Sequence, residues 1–515
     1  MSSRVKYINR KTGITYVYES ISYWDKEKKQ PRNKRVCIGK IDSNTGELIT
    51  SKKILPTPGE SVSVTASAKV IGPTHVLDQF DKQLEVSKLL KKCCPNHYEK
   101  IKAMAYYLVI KGGALSHCET WCKSYFPELA NELSSQRIAE ILQDIGMDVK
   151  QTFFKDWLNS MPENDYYCYD ITSISSYAEH NEYIRYGYNR DKDKLAQLNL
   201  AVVFGQKSGV PVYYNPLAGN ITDVTTLNNL IQTMGMISDK KLHYVMDRGF
   251  YSKTNIDNLF SNRTKFITAV PLNNKWLQSA IDDIHLEVSS PDNYRRTGQD
   301  IVYVHSRLHP WGTERYRCYL HLYYNPYVRA ADIDKFNAKL IQCKAELEAE
   351  KPKKEHQEYY ETFFIVKTTP KRGTTVSYNK ETVSTYINRY TGFYAILTNS
   401  IKNPVEALYV YRNKDVVEKC FDDLKNQLDM KRLRMHSSRT VEAKLFIQFI
   451  ALIYTSALRN AIKSTDLDGK YTVRELLNEM SNITKITYSG KYGSIITEIS
   501  KSQREIVQAL QISIG

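Results

Sequence analysis

The sequence predicts a mixed α/β fold, and three observations carry that prediction. Two apolar, strand-like runs, Tyr166-Tyr167-Cys168-Tyr169-Asp170 and Leu242-His243-Tyr244-Val245-Met246-Asp247, each end in an aspartate. Between and after them the pattern alternates between strand and helix through residue 270. At 515 residues the chain exceeds one ordinary domain.

The elements follow in order. Residues 1–55 alternate like strands, at Thr15–Ser20 and Lys34–Gly39, around a polar segment Asp25–Arg32, and predict a small β-hairpin unit with a basic rim. That rim suits either a DNA-contacting arm or a solvated hairpin. Residues 56–71, with Pro56, Pro58 and Gly59, read as a linker. Residues 72–163 turn helical, with Leu77, Phe80, Leu84 and Ile101, Met104, Ala105, Leu108 at helical spacing. Ser134-Ser135-Gln136-Arg137 predicts a capped helix start. This region serves either DNA-end recognition or plain scaffolding.

Residues 164–271 predict strands at Tyr166–Thr172, Leu198–Phe204 and Val210–Tyr214, with a turn at Lys207-Ser208-Gly209. A helix after Thr222, a strand ending at Asp247, a helix from Ser252 and a strand Lys265–Val270 complete the segment. Strand, strand, strand, helix, strand, helix, strand is the order of a ribonuclease-H-like core. Residues 272–394 break the rhythm and read as a β-rich insertion with a charged helix near Asp332–Glu355. Residues 395–463 return to the core with a strand at Gly392–Leu397, a long helix from Asn413 and a greasy stretch Leu445–Leu458, too short to span a bilayer. Residues 464–515 form a tail with a helix, a hairpin through Ser489-Gly490 and a last helix near Ile506.

Composition narrows function. Lys plus Arg number 72 against 56 Asp plus Glu, a net charge of +16 that favours a polyanionic partner. Met1–Lys11 holds no apolar run, so no secretory signal is expected, and nine scattered Cys fit reduced thiols in a cytoplasm. Cys118 and Cys122 share a helix spacing but lack a second ligand pair, which argues against structural zinc.

The chemistry rests on three carboxylates. Asp170 and Asp247 end strands that one sheet can bring together, and Glu418 sits on a helix that can pack on that sheet. Hard oxygen ligands grouped this way suit Mg²⁺ or Mn²⁺ and phosphoryl transfer with two ions. Tyr411, Lys414, Glu418 and Lys425 fall on one face of a regular helix. Asp223 fits a helix cap, Asp422 and Asp423 fit solvation or salt bridging, and His436 has no matched ligand pair.

The run Tyr411–Lys425 resembles the Y-x2-R-x3-E-x6-K signature of the DDE transposases of bacterial insertion sequences, the type 4 group and its relatives. Lys414 stands where that signature has Arg and lacks the planar bidentate fork. Tyr169–Ser173 and Val245–Phe250 resemble the group's two aspartate motifs, and the long interval from Asp247 to Glu418 matches its β-rich insertion. The resemblance implies an enzyme that cuts transposon ends and joins them to target DNA. Asp170, Asp247 and Glu418 would be catalytic and bind two Mg²⁺ or Mn²⁺ ions. Tyr411, Lys414, Lys425 and Arg248, with the basic run Lys431, Arg432 and Arg434, would meet double-stranded DNA. Arg248 equally suits a structural ion pair, and the basic run equally suits a helix-ending loop. A homodimer on DNA, no membrane and a cytoplasmic, nucleoid-associated location in a bacterium are further expectations. A nuclease on the same core, or a silent DNA-binding descendant, stays open.

Overall fold

The computed structural model describes residues 2–25, 28–43, 45–50, 65–178, 181–189, 193–297, 300–369, 373–387, 389–428, 430, 432–433, 437–489 and 493–514. The chain divides into two compact units: Met1–Ser67 with Ile486–Ile495, and Ala68–Lys485 with Ile496–Gly515.

The first unit holds a four-stranded antiparallel sheet of Ser2–Ile8, Thr15–Asp25, Gln30–Ile41 and Leu48–Thr50 in sequential order. It is larger than the single hairpin the alternation predicted. A shift in register between Val17 and Tyr18, where the second strand pairs with the third, disrupts the simple period of two there. Most of the expected linker, 56–64, lies outside the described residues, and Ala66–Val70 at its end is a strand.

The second unit is built on a mixed sheet of ten strands. Its centre is Tyr166–Ser176, flanked on one side by Gln197–Gly205 and Pro211–Ala218, both antiparallel pairings. On the other side His243–Met246 and then Lys265–Val270 run parallel. The order of elements through residue 270 is the one predicted, with helices Asp223–Ile237 and Lys253–Ser261 as the connections. Every residue of Gln197–Gly205 is buried, as a central strand covered on both faces requires. Gly209 closes the turn after it with φ of 66°, a conformation that costs glycine nothing.

Six helices fill Gly72–Ser160, among them Ser135–Asp144, where Ser134 Oγ accepts from the Arg137 N–H. They pack against Ser438–Lys463, a 26-residue helix long and apolar enough to cross a membrane but mostly buried inside the protein. Phe446, on that helix, packs edge-on against Phe153. Truncating such a ring costs about 3–5 kcal/mol, so this helix anchors the unit.

The 272–394 segment is not one insertion. Its first part, strands Tyr294–Thr297, Asp300–Trp311 and Tyr316–Tyr324, joins the central sheet through Phe393–Thr398, which pairs with Lys265–Val270. Its second part, helix Pro326–Glu348 through helix Lys380–Tyr386, forms a separate small core around Phe336, Leu340 and Phe363. The charged helix starts and ends earlier than predicted because Pro326 occupies its first turn behind an Asn325 cap. The helix expected from Asn413 is also corrected. It comes in pieces: Pro404–Arg412, a turn at Asn413-Lys414, Asp415–Asp422 and a π-helical turn Asp423–Gln427.

Candidate active site

Sheet register assembles the first two carboxylates. Tyr166–Ser176 and His243–Met246 run parallel with Tyr169 opposite Met246. The next residue on each strand is Asp170 and Asp247. Side chains alternate along a strand, so these two leave the same face of neighbouring strands, roughly 4.8 Å apart along the sheet. Backbone at Asp247 stays extended, with φ of −72° and ψ of 163°, before the chain turns into Arg248–Phe250.

Glu418 comes from the helix Asp415–Asp422, whose inner face buries Val417, Cys420 and Phe421. That burial leaves Glu418 outward, its side chain 66% exposed, against 44% for Asp247. The preceding helix, Pro404–Arg412, is set by Asn403, whose side chain accepts from the N–H groups of Val405 and Glu406. It delivers Tyr411, and the following turn delivers Lys414.

Lys414 is the hub. Its ammonium lies 3.7 Å from Asp247 Oδ1 and 3.8 Å from Glu418 Oε1, and 5.6 Å from the centre of the Tyr411 ring. The Tyr411 hydroxyl donates to Asp247 Oδ1 at 2.8 Å. Burial, then the charge of Asp247 and this hydrogen bond, push the Tyr411 phenol well above its ordinary pKa, so it stays a donor. Arg412, the neighbour considered for the missing guanidinium fork at position 414, donates from Nη1 to Thr297 Oγ1 at 3.5 Å.

Other sequence candidates fall in different places. Arg248 is exposed on the turn after Asp247, near enough for its charge to act on Tyr411. Lys425 is half-buried on the π-helical turn, whose wider winding breaks the regular face expected from Tyr411 to Lys425. Arg432 lies in a short strand beside Ser175 and Ser176, over the Tyr177 ring and 3.4 Å from Asp193 Oδ2. Lys431, Arg434 and His436 lie outside the described residues. Asp223 opens helix Asp223–Ile237 behind Thr222. Asp423 is fully buried and ion-paired with Arg459. Cys118 and Cys122 face each other with sulfurs 3.9 Å apart in the interior.

Sequence reasoning missed Gln206. Its Nε2 donates to Val410 O at 2.8 Å and to Cys168 Sγ at 3.0 Å, tying the end of the Tyr411 helix to the Asp170 strand. A contact this distant in sequence leaves no local pattern. Burial pushes the Cys168 thiol up to about 12, so it is a structural thiol and not a nucleophile.

Among the described residues, the three carboxylates do not converge to within 4.8 Å of one another. The ammonium of Lys414 stands between two of them. The donor set is all oxygen, reachable from solvent and spread over two strands and a helix. It fits a hard divalent cation that keeps water and substrate oxygens in its shell.

The sequence profile of the transposase DDE domain matches residues 163–454 and so contains all of these groups. No curated protein matches the chain. Among solved structures, the chain is similar to a piggyBac transposase synaptic complex with hairpin DNA, at 11% identity and a TM-score of 0.36, covering 81% of this chain and 82% of that one.

Proposed function

Because the chain belongs to the transposase DDE domain family it is a DDE transposase, and we propose that it cuts transposon ends and transfers the freed strand to target DNA. The observation that carries this reading is the shared ammonium: Lys414 lies within 4 Å of both Asp247 and Glu418, with Asp170 on the neighbouring strand. Asp170, Asp247 and Glu418 would hold two Mg²⁺ or Mn²⁺ ions. When bound, such ions activate an attacking oxygen and stabilise the leaving one.

The chain's own residues orient this chemistry. Tyr411 fixes the rotamer of Asp247 through its hydroxyl. Lys414 balances the carboxylate charge and is placed to follow negative charge onto a DNA phosphate. Exposed Arg248 and half-buried Lys425 extend the cationic surface toward the backbone. The three parallel central strands with two antiparallel ones beside them support a ribonuclease-H-like core. The Tyr411–Lys425 signature supports the type 4 insertion-sequence group. Two DNA ends must be held together, which supports a homodimer on double-stranded DNA. A bacterial, nucleoid-associated, cytoplasmic setting without a membrane completes the proposal.

The test is a paired cleavage and joining assay on DNA carrying the element's own ends, with Mg²⁺ or EDTA. Wild type with Mg²⁺ is expected to cut and join, and Asp170→Asn, Asp247→Asn and Glu418→Gln to do neither. Variants that cut as well as wild type would remove these residues from the mechanism. Cutting without joining would leave a nuclease.

A further inference from the structure

The second part of the 272–394 segment carries chemistry that DNA cleavage does not use. Cys343 and Glu346 lie one turn apart near the end of helix Pro326–Glu348 and share a face. Glu350, with φ of 54°, turns the chain back, and the short turn Lys354–His356 returns His356 to that face. The donor atoms of Cys343, Glu346 and His356 all lie within 4.8 Å of one another, the one such group among the described residues. Cys343 has no exposed surface, His356 is 5% exposed, and the Glu346 side chain is 12% exposed.

The imidazole is set up as a ligand. His356 Nδ1 and Glu346 Oε2 face one another at 2.6 Å, so a cation that replaces the proton between them meets both donors. The other ring nitrogen, Nε2, lies 3.5 Å from Glu355 Oε1, a carboxylate that can hold its N–H once Nδ1 is a ligand. The ammonium of Lys339 is lodged against Nε2. An ammonium can only donate, so it must leave when the imidazole proton moves to Nε2. Glu346 also accepts from Tyr360, from Gln342 at 3.0 Å and from Lys353 at 3.3 Å, which fixes its position. The Cys343 thiol is free and buried beside these groups.

We infer that Cys343, Glu346 and His356 form a binding site for one Zn²⁺, with water as the fourth ligand. Thiolate, imidazole and carboxylate together select zinc over the hard cations suited to Asp170, Asp247 and Glu418. Binding replaces the Cys343 S–H bond by an S–Zn bond and releases that proton to solvent, the imidazole proton passes from Nδ1 to Nε2, and the Lys339 ammonium swings out to water. The site would brace a core too small to be strongly stable alone.

The full-length protein, stripped with a chelator, is titrated with Co²⁺ and Zn²⁺ alone. The expected result is one tetrahedral Co²⁺ per chain with a thiolate charge-transfer band, displaced by Zn²⁺. Cys343→Ser removes the band, and His356→Gln weakens Zn²⁺ binding at least about tenfold. Lys339→Met, which removes the competing cation, tightens it by about tenfold or more. Far-UV circular dichroism checks that each variant folds. A wild-type protein without the thiolate band, a band that survives Cys343→Ser, or affinity unmoved by His356→Gln would overturn the site. The wild-type spectrum decides even if a variant fails to fold.

Discussion

Glu418 and Asp423 lie little more than a turn apart, yet the Glu418 side chain is 66% exposed and the Asp423 side chain has no exposure. The outward side of this helix joins the candidate active site, where Asp247 and Glu418 share the ammonium of Lys414 and Asp247 accepts from the Tyr411 hydroxyl. The inward side belongs to the interior, where Asp423 meets Arg459, and where Asp81 is held by Lys102 and by the Tyr454 hydroxyl. Acidic residues at that site are placed to work on something else, and their loss should cost function. Acidic residues in the interior are spent on the fold, and their loss should cost stability.

The largest expected effect sharpens the first half of that contrast. Asp247→Asn and Glu418→Gln should each lower end cleavage by about a thousandfold or more. Because both groups reach solvent, urea unfolding should stay within about 0.5 kcal/mol of wild type. Unfolding that tracks the loss of cleavage would break the comparison.

Next, Asp423→Ala leaves Arg459 in the interior without its partner. The expected loss in urea unfolding is about 3 kcal/mol, at the lower end for a buried pair because Arg459 is 20% exposed. Cleavage per folded molecule should change far less than in Asp247→Asn or Glu418→Gln.

A smaller effect is expected from Tyr411→Phe, which keeps the ring and removes only the donor to Asp247. A hydrogen bond to a charged group contributes about 1.5 kcal/mol, so single-turnover cleavage should fall roughly tenfold. A change confined to DNA affinity would instead make Tyr411 a phosphate contact alone.

The smallest is a pH effect. Burial, then Lys265 and Lys207, depress His243 to about 4. Unfolded, this imidazole takes up a proton near pH 6.5, while the folded state resists until about pH 4. Its contribution is therefore complete above pH 6.5 and declines as pH falls toward 4. His243→Gln should flatten the slope of unfolding free energy between pH 7 and pH 5 without altering it above pH 7.

Much of this was legible in sequence, for identifiable reasons. Strands around Asp170 and Asp247 show as apolar runs because they are covered on both faces, and Lys265–Val270 is bounded by Thr264 and by Pro271. Ser134 reads as a cap because capping is a local interaction. Pieces that depend on distant partners were not legible. The break at Asn413-Lys414 and the π-helical turn at Asp423 answer to packing on the sheet, which helical periodicity ignores. The insertion's split into a sheet extension and a separate core depends on Phe393–Thr398 pairing with both Lys265–Val270 and Tyr316–Tyr324. No local pattern shows that either.

The sheet extension also settles how the sheet ends. A bare row of N–H and C=O groups is a template on which another chain can add a strand. Here one margin is Tyr294–Thr297, four residues long, with Arg295 and Arg296 exposed. The opposite margin, Pro211–Ala218, carries Pro211 and Pro216, which have no N–H to offer. Neither border invites another strand, so growth of the sheet from chain to chain is disfavoured. Arg295→Val with Arg296→Val should weaken that safeguard, and sedimentation of the concentrated protein would report it.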